Sequence, residues 1–195
     1  LQDSENFKNL KYFNPNTHIM TEQLEGAILC EGAQGFWLDI DFGNYPYVTS
    51  SCTLPYSACS LGFPPQYIRN IYGAAKIYDT RVGIDTEFSD DLLNDETLNK
   101  IAHVGNEFGT TTGRLRKVNW LNLEKLIEAI NISGTTHVII SKTDILEKIG
   151  IFKLSNGISF PNLETMKKYI YSEIQSKCVY IKRILFSDNP KTIKF

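Results

Sequence analysis

Thr136-His137-Val138-Ile139-Ile140-Ser141-Lys142-Thr143-Asp144 is the stretch that decides the fold. Its β-branched centre predicts a buried strand over Thr136 to Ser141, because such side chains pack well on a pleated surface. Immediately upstream, Asn122 or Leu123 opens a helix to Ile132, with apolar residues at Leu123, Leu126, Ile127 and Ile130. Gly134 supplies the stop. Downstream, the spacing predicts an amphipathic helix over Asn162 to Ser176 and a strand over Val179 to Phe186. Strands alternating with helices imply an α/β fold, a mostly parallel sheet with flanking helices.

Further out the signals are shorter. Ala27 to Cys30 reads as a short buried strand, and Thr21 as the cap of a short helix reaching about Gly26. Pro64 and Pro65 stand where helices often begin, which predicts a helix over Gln66 to Ala75. Lys76 to Val82 reads as a strand, and Ser89 as the N-cap of a helix running to about Val104. Residues 1–19 are polar with isolated aromatics, an irregular lead-in.

Composition bounds the partners. The 195 residues are 42% hydrophobic and 22% charged, enough apolar material for the core of one domain. The net charge of −2 gives no basic field for nucleic acid. No apolar run approaches the roughly 20 residues of a membrane span, and the polar start carries no signal-peptide pattern. Cys30, Cys52, Cys59 and Cys178 form no Cys-x-x-Cys pair or zinc spacing, and read as reduced thiols in a cytoplasmic protein. His18, His103 and His137 show no metal-ligand spacing.

Ligands of open α/β sheets bind outside the carboxyl ends of strands. Ser141-Lys142-Thr143-Asp144 sits at such an end and resembles the Asn/Thr-Lys-x-Asp element of guanine-nucleotide proteins. An Asp carboxylate accepts from both N1–H and the 2-amino group of guanine, and a Lys stem packs along the base. The same residues also read as a surface Lys and a helix-capping Asp. Glu31-Gly32-Ala33-Gln34-Gly35 reads as a close backbone approach to a ligand or as a plain tight turn. Tyr45-Pro46-Tyr47-Val48-Thr49-Ser50-Ser51 offers hydroxyls to a phosphate or to a turn. Gly109-Thr110-Thr111-Thr112-Gly113-Arg114-Leu115-Arg116 frames hydroxyls with glycines and adds two guanidinium forks, a loop built to grip a small anion.

In order and spacing, these strings resemble the adenylosuccinate synthetase family. Thr80-Arg81-Val82-Gly83, Gly105-Asn106-Glu107-Phe108-Gly109 and Trp120-Leu121 extend the likeness from about Ala27 to the C-terminus. That family joins L-aspartate to the 6-position of a purine monophosphate, using GTP and Mg²⁺, and works as a homodimer. The resemblance implies purine monophosphate contacts at Gln34, Thr49, Val82 and Arg114, and aspartate contacts at Thr111, Thr112 and Arg114. It implies GTP contacts at Arg116, Lys142, Asp144, Ser187 and Asn189. Lys142 and Asp144 favour GTP over ATP as donor.

The family's phosphate loop, Gly-Asp-Glu-Gly-Lys-Gly, carries its catalytic Asp and a metal ligand, and this sequence does not contain it. The expectation is therefore the C-terminal portion of a P-loop-NTPase-like synthetase fold. On this reading the 195 residues hold no catalytic residue, and the Mg²⁺ ligands lie elsewhere. The family's Gly-Pro-Phe-Pro after Arg-Val-Gly is shortened to Ile84-Asp85, and Asn189 replaces a Gly. Such trimming resembles phage enzymes that act on dGMP, which leaves dGMP as the alternative to IMP. The other alternative is a non-catalytic nucleotide-binding module.

Overall fold

A computed structural model describes residues 27–109, 113–189, 191 and 193. The chain divides between Arg69 and Asn70 into two compact units.

In the first unit the backbone follows 3₁₀ turns at Phe36–Leu38, Pro55–Leu61 and Pro65–Tyr67. A buried carboxylate organises it. Asp39 accepts from the backbone N–H groups of Asp41 (2.9 Å), Phe42 (3.1 Å) and Thr53 (2.6 Å), closing the loop that carries Thr49. Burial by itself raises this carboxyl's pKa. The three N–H donors outweigh it and hold the group below the usual carboxylate range. Gly43 has no substitute here, since a Cβ would lie 2.4 Å from the Asp39 carbonyl oxygen and 2.7 Å from that of Trp37.

The second unit is the α/β body. Strands β1 (Tyr72–Lys76), β4 (His137–Ser141) and β7 (Arg183–Phe186) form a parallel sheet in the order β1-β4-β7. Lys76 is in register with Ser141, and Ile140 with Phe186, so the three strands end together. Strands β2 (Tyr78–Arg81) and β3 (Lys117–Trp120) pair antiparallel, as do β5 (Phe152–Lys153) and β6 (Ser159–Phe160). The helices are α1 (Glu96–Val104), α2 (Leu123–Ser133), α3 (Thr143–Ile149) and α4 (Leu163–Lys177).

Capping explains the helix starts. Asn122 accepts from the Lys125 N–H at the start of α2, and Asn162 from the Thr165 N–H at the start of α4. Gly134 ends α2 in the left-handed region at φ +66°. Along α4, Leu163, Met166, Ile170 and Ile174 recur at helical spacing and are buried in one core with Val138, Ile140 and Ile184 of the sheet. Truncating Ile170 to Ala would cost about 2–5 kcal/mol.

Several expectations are corrected. Tyr72 to Lys76 is a strand and not the end of a helix, and only the 3₁₀ turn at Pro65–Tyr67 precedes it. Ala74-Ala75-Lys76 has helix propensity, but five pairs with β4 override it. Gly73 also lets β1 pass Thr135, whose side-chain atoms would stand 3.0 and 3.1 Å from a Cβ. Ala27 to Cys30 is exposed and forms no strand. The helix expected from Ser89 breaks into a 3₁₀ turn at Asp90–Asn94 and α1, because Asp95 caps the N–H groups of Thr97 and Leu98 and Ser89 caps nothing. The strand expected over Lys76 to Val82 is divided: Lys76 closes β1, and β2 joins a different sheet. The last strand begins at Arg183, with Val179 and Tyr180 exposed ahead of it. The helix expected after Thr21 lies outside the described residues. All four cysteines are free.

Asp79 on β2 accepts from the Asn122 N–H at 2.7 Å. Burial pushes its carboxyl up from 3.8 to about 6, with Glu87 adding to the rise. Between those values the folded chain holds a proton that the unfolded chain has released, so stability falls as pH rises through this window. Asp79→Asn keeps the acceptor for Asn122 and removes the charge. Urea denaturation should find it matching the parent near pH 4 and more stable at pH 7. Equal stability of the two proteins at both pH values would contradict the shift.

Candidate nucleotide site

The carboxyl ends of β1, β4 and β7 bring Lys76, Lys142 and Ser187 to one edge of the sheet. The chain leaves β4 sharply. Lys142 takes φ +66° and ψ +24°, a left-handed conformation that costs a non-glycine residue on the order of 1 kcal/mol. Three contacts hold it there. The Lys142 ammonium donates to the Gly105 carbonyl oxygen at 2.6 Å. The Thr143 N–H donates to the Ser187 carbonyl oxygen at 3.3 Å, and the Ser187 N–H to that of Ile140 at 2.9 Å. Asp144, in the first turn of α3, pairs with Lys148 at 2.9 Å. The Ser187 hydroxyl donates to the Asn189 carbonyl oxygen at 3.0 Å.

A hairpin approaches from the other side. After α1 the Glu107 N–H donates to the Ala102 carbonyl oxygen at 2.8 Å. Phe108 bridges antiparallel to Leu115, and the Arg116 N–H donates to the Glu107 carbonyl oxygen at 2.9 Å. The Gly109 N–H donates to the Arg114 carbonyl oxygen at 2.8 Å and so closes the loop between them. Arg114 is exposed, while Thr111 and Thr112 lie outside the described residues.

One carboxylate ties these parts together. Glu107 is buried, its side chain 3% exposed. It accepts from Lys76 Nζ at 2.6 Å and Arg116 Nη1 at 3.4 Å through Oε2, and from the Tyr78 hydroxyl at 2.9 Å through Oε1. Lys142 Nζ stands 3.9 Å from Oε1. Burial lowers the Lys76 pKa, Glu107 pulls it back up, and Arg116 and Lys142 push it down. Burial raises the Tyr78 pKa, and the Glu107 charge raises it further. One negative charge thus faces three positive ones, and the surplus suits an anionic ligand.

Of the residues singled out from sequence, the second unit gathers Arg116 and Lys142 around Glu107; Ser187 meets Asn189 and the Thr143 N–H, and the Asp144 carboxylate pairs with Lys148. Val82 follows β2 and is half exposed. Gln34 and Thr49 belong to the first unit. Gln34 takes φ +70°, and the Thr49 N–H donates to the Leu38 carbonyl oxygen at 2.7 Å. Sequence reasoning gave no role to Glu107, Lys76 or Tyr78. The available signal was an acidic residue enclosed by Gly105 and Gly109, just ahead of a loop rich in Arg.

A parallel sheet with flanking helices and a cation-rich cluster at its strand ends places the chain in the α/β class, whose ligands bind outside the carboxyl ends of the strands. The model of the family "Adenylosuccinate synthetase" matches residues 4–181, and the chain belongs to that family. It is 40% identical over 162 residues to the adenylosuccinate synthetase of Flavobacterium psychrophilum, covering 82% of this chain and 38% of the relative. The enzyme of Flavobacterium johnsoniae is 43% identical over 158 residues, covering 80% and 37%. The chain therefore spans a little over a third of the length of these relatives. The fully ligated adenylosuccinate synthetase of Plasmodium falciparum superposes with a TM-score of 0.58 at 37% identity, covering 62% of this chain and 28% of that one. The succinoaminodeoxyadenylate synthetase of cyanophage S-2L, bound to dGMP and dATP, shares the fold at a TM-score of 0.55 and 20% identity, covering 82% and 43%.

Gly105 tests the packing of the cluster. A Cβ there would stand 2.4 Å from the Tyr78 hydroxyl oxygen and 2.9 Å from the Ile101 carbonyl oxygen. Gly105→Ala should cost about 1–3 kcal/mol in urea denaturation. Tyr78→Phe removes the nearer clash, so the double variant should lose less than the two single losses added. Strict additivity would contradict this packing.

Proposed function

We propose that this chain carries the substrate-binding part of a purine-nucleotide ligase that joins L-aspartate to the 6-position of a purine monophosphate at the expense of GTP. The observation that carries the reading is the convergence of Lys142, Asp144, Ser187 and Arg116 at the carboxyl end of the parallel sheet. Asp144 reads the N1–H and 2-amino group of guanine, exchanging its Lys148 partner for the base. The Lys142 stem packs on the base, and Ser187 and Asn189 flank it. Arg116 meets the anionic part of the bound nucleotides. Arg114, with Thr111 and Thr112, grips the two carboxylates of aspartate. Gln34, Thr49, Val82 and Arg114 hold the purine monophosphate.

In the reaction of this family the purine 6-oxygen is phosphorylated, and the aspartate amine then displaces it as phosphate. This chain's residues bind and orient the three substrates. Among the described residues no group of three His, Cys, Asp or Glu is placed to hold a metal ion. The family reading also implies a homodimer in the cytoplasm. IMP is the purine favoured, because identity to the bacterial adenylosuccinate synthetases reaches 46%, whereas the phage enzyme bound to dGMP is 20% identical.

Titration calorimetry with GTP, ATP, IMP and dGMP checks this. GTP should bind and ATP should bind far more weakly. Asp144→Asn should weaken GTP by about 100-fold or more while leaving ATP unchanged, because a site built to hydrogen-bond a base edge is left unpaired without it. IMP should bind more tightly than dGMP. Equal affinity for GTP and ATP in the parent protein would sink the guanine reading.

A further inference from the structure

We infer that Glu107 is a positioning residue for the nucleotide site: its buried carboxylate sets Lys142 and Arg116 in the poses from which they meet a guanine nucleotide, while touching no ligand itself. The inference rests on the guanine-nucleotide reading above and names what holds that site in shape.

Three observations carry it. The first is exclusivity of pairing. Among the described residues, the ion pairs of Lys76, Arg116 and Lys142 all run to Glu107. Without that anion, the three cations would lose their shared counter-ion and keep neutral acceptors such as the Thr80 hydroxyl for Lys76 and the Gly105 carbonyl oxygen for Lys142, which do not offset their mutual repulsion. The second is the double tether on Lys142. Its ammonium lies 2.6 Å from the Gly105 carbonyl oxygen and 3.9 Å from Glu107, so two points of the segment following α1 fix a side chain that leaves β4 in a left-handed turn. The third is the state of Arg116. Nη1 reaches Glu107, whereas Nε is buried and has no hydrogen-bond partner among the described residues. Glu107 holds one arm of the fork and leaves other donors for an anion.

The geometry also separates Glu107 from a general base or a metal ligand. Both carboxylate oxygens are turned into the protein, Oε2 against Lys76 and Arg116, Oε1 against Tyr78. Little of the carboxylate faces solvent, and Lys76 approaches it from the end of β1.

Two variants of the full chain test this: Glu107→Gln, which keeps size and removes charge, and Tyr78→Phe, which removes one donor to Oε1. Each is followed by circular dichroism for folding, by GTP titration calorimetry, and by the rate at which acetic anhydride acetylates Lys142, read by peptide mass spectrometry. Glu107→Gln should bind GTP roughly ten- to a hundredfold more weakly, the range spanned by one charge-assisted hydrogen bond. Its Lys142 should acetylate several-fold faster, since the amine is freed from the carboxylate. Tyr78→Phe should shift both readouts in the same direction by a smaller factor, and it carries the test if Glu107→Gln does not fold. Parental GTP affinity and parental Lys142 labelling in a folded variant would overturn the inference and leave the nucleotide reading standing. A parent protein that binds no GTP would overturn that reading instead, and labelling of Lys142 unchanged by the substitution would then overturn the positioning role as well.

Discussion

The carboxylate of Glu107 is buried, and four groups on separate elements of the second unit lean on it. An ionised carboxyl removed from water is tolerated only when opposite charges and hydrogen-bond donors surround it. Here those partners come from four places: Lys76 at the end of β1, Tyr78 on β2, Arg116 on the return of the hairpin, and Lys142 after β4. Pairing one anion with groups on separate elements couples their positions. Removing Glu107 itself would leave Lys76, Arg116 and Lys142 without their shared counter-ion. Gly105 has to be glycine for the same reason, because the Tyr78 hydroxyl occupies the space a side chain would need.

The first unit solves a similar problem with different means. Asp39 is also a buried carboxylate, but backbone N–H groups of its own loop surround it. Asp39 fixes the path of one loop, the one that bears Thr49. Glu107 links distant elements and, facing three cations, leaves a positive surplus beside a strand edge. A loop anchor and an anion-attracting cluster thus grow from the same residue chemistry in two settings.

Much of the scaffold was legible because local signals agreed with tertiary packing. The Asn caps, the helical spacing of Leu163 to Ile174 and the β-branched run at Val138 to Ile140 each mark elements that the structure contains. β1 was hidden, because Tyr-Gly-Ala-Ala-Lys carries helix formers and its strand state depends on pairing with residues more than sixty positions away. Ala27 to Cys30 failed in the opposite sense, as a short apolar run cannot announce whether a partner strand exists. For the site, the strand-end position of Lys142 and Asp144 could be read from the order of elements. Glu107 could not, since nothing in a lone Glu states that it will be buried or which distant lysine will meet it.

The family supplies the chemistry of a ligase, and the structure shows how a third of such a sequence arranges its strand ends into a charged, preshaped edge. The most direct test is a crystal structure of the chain grown with GTP. The account predicts the base on the Lys142 stem, the Asp144 carboxylate turned from Lys148 to the guanine edge, and Glu107 still holding Lys76 and Arg116. A nucleotide bound away from this edge, or a Glu107 carboxylate swung out to solvent with Lys142 unmoved, would contradict it.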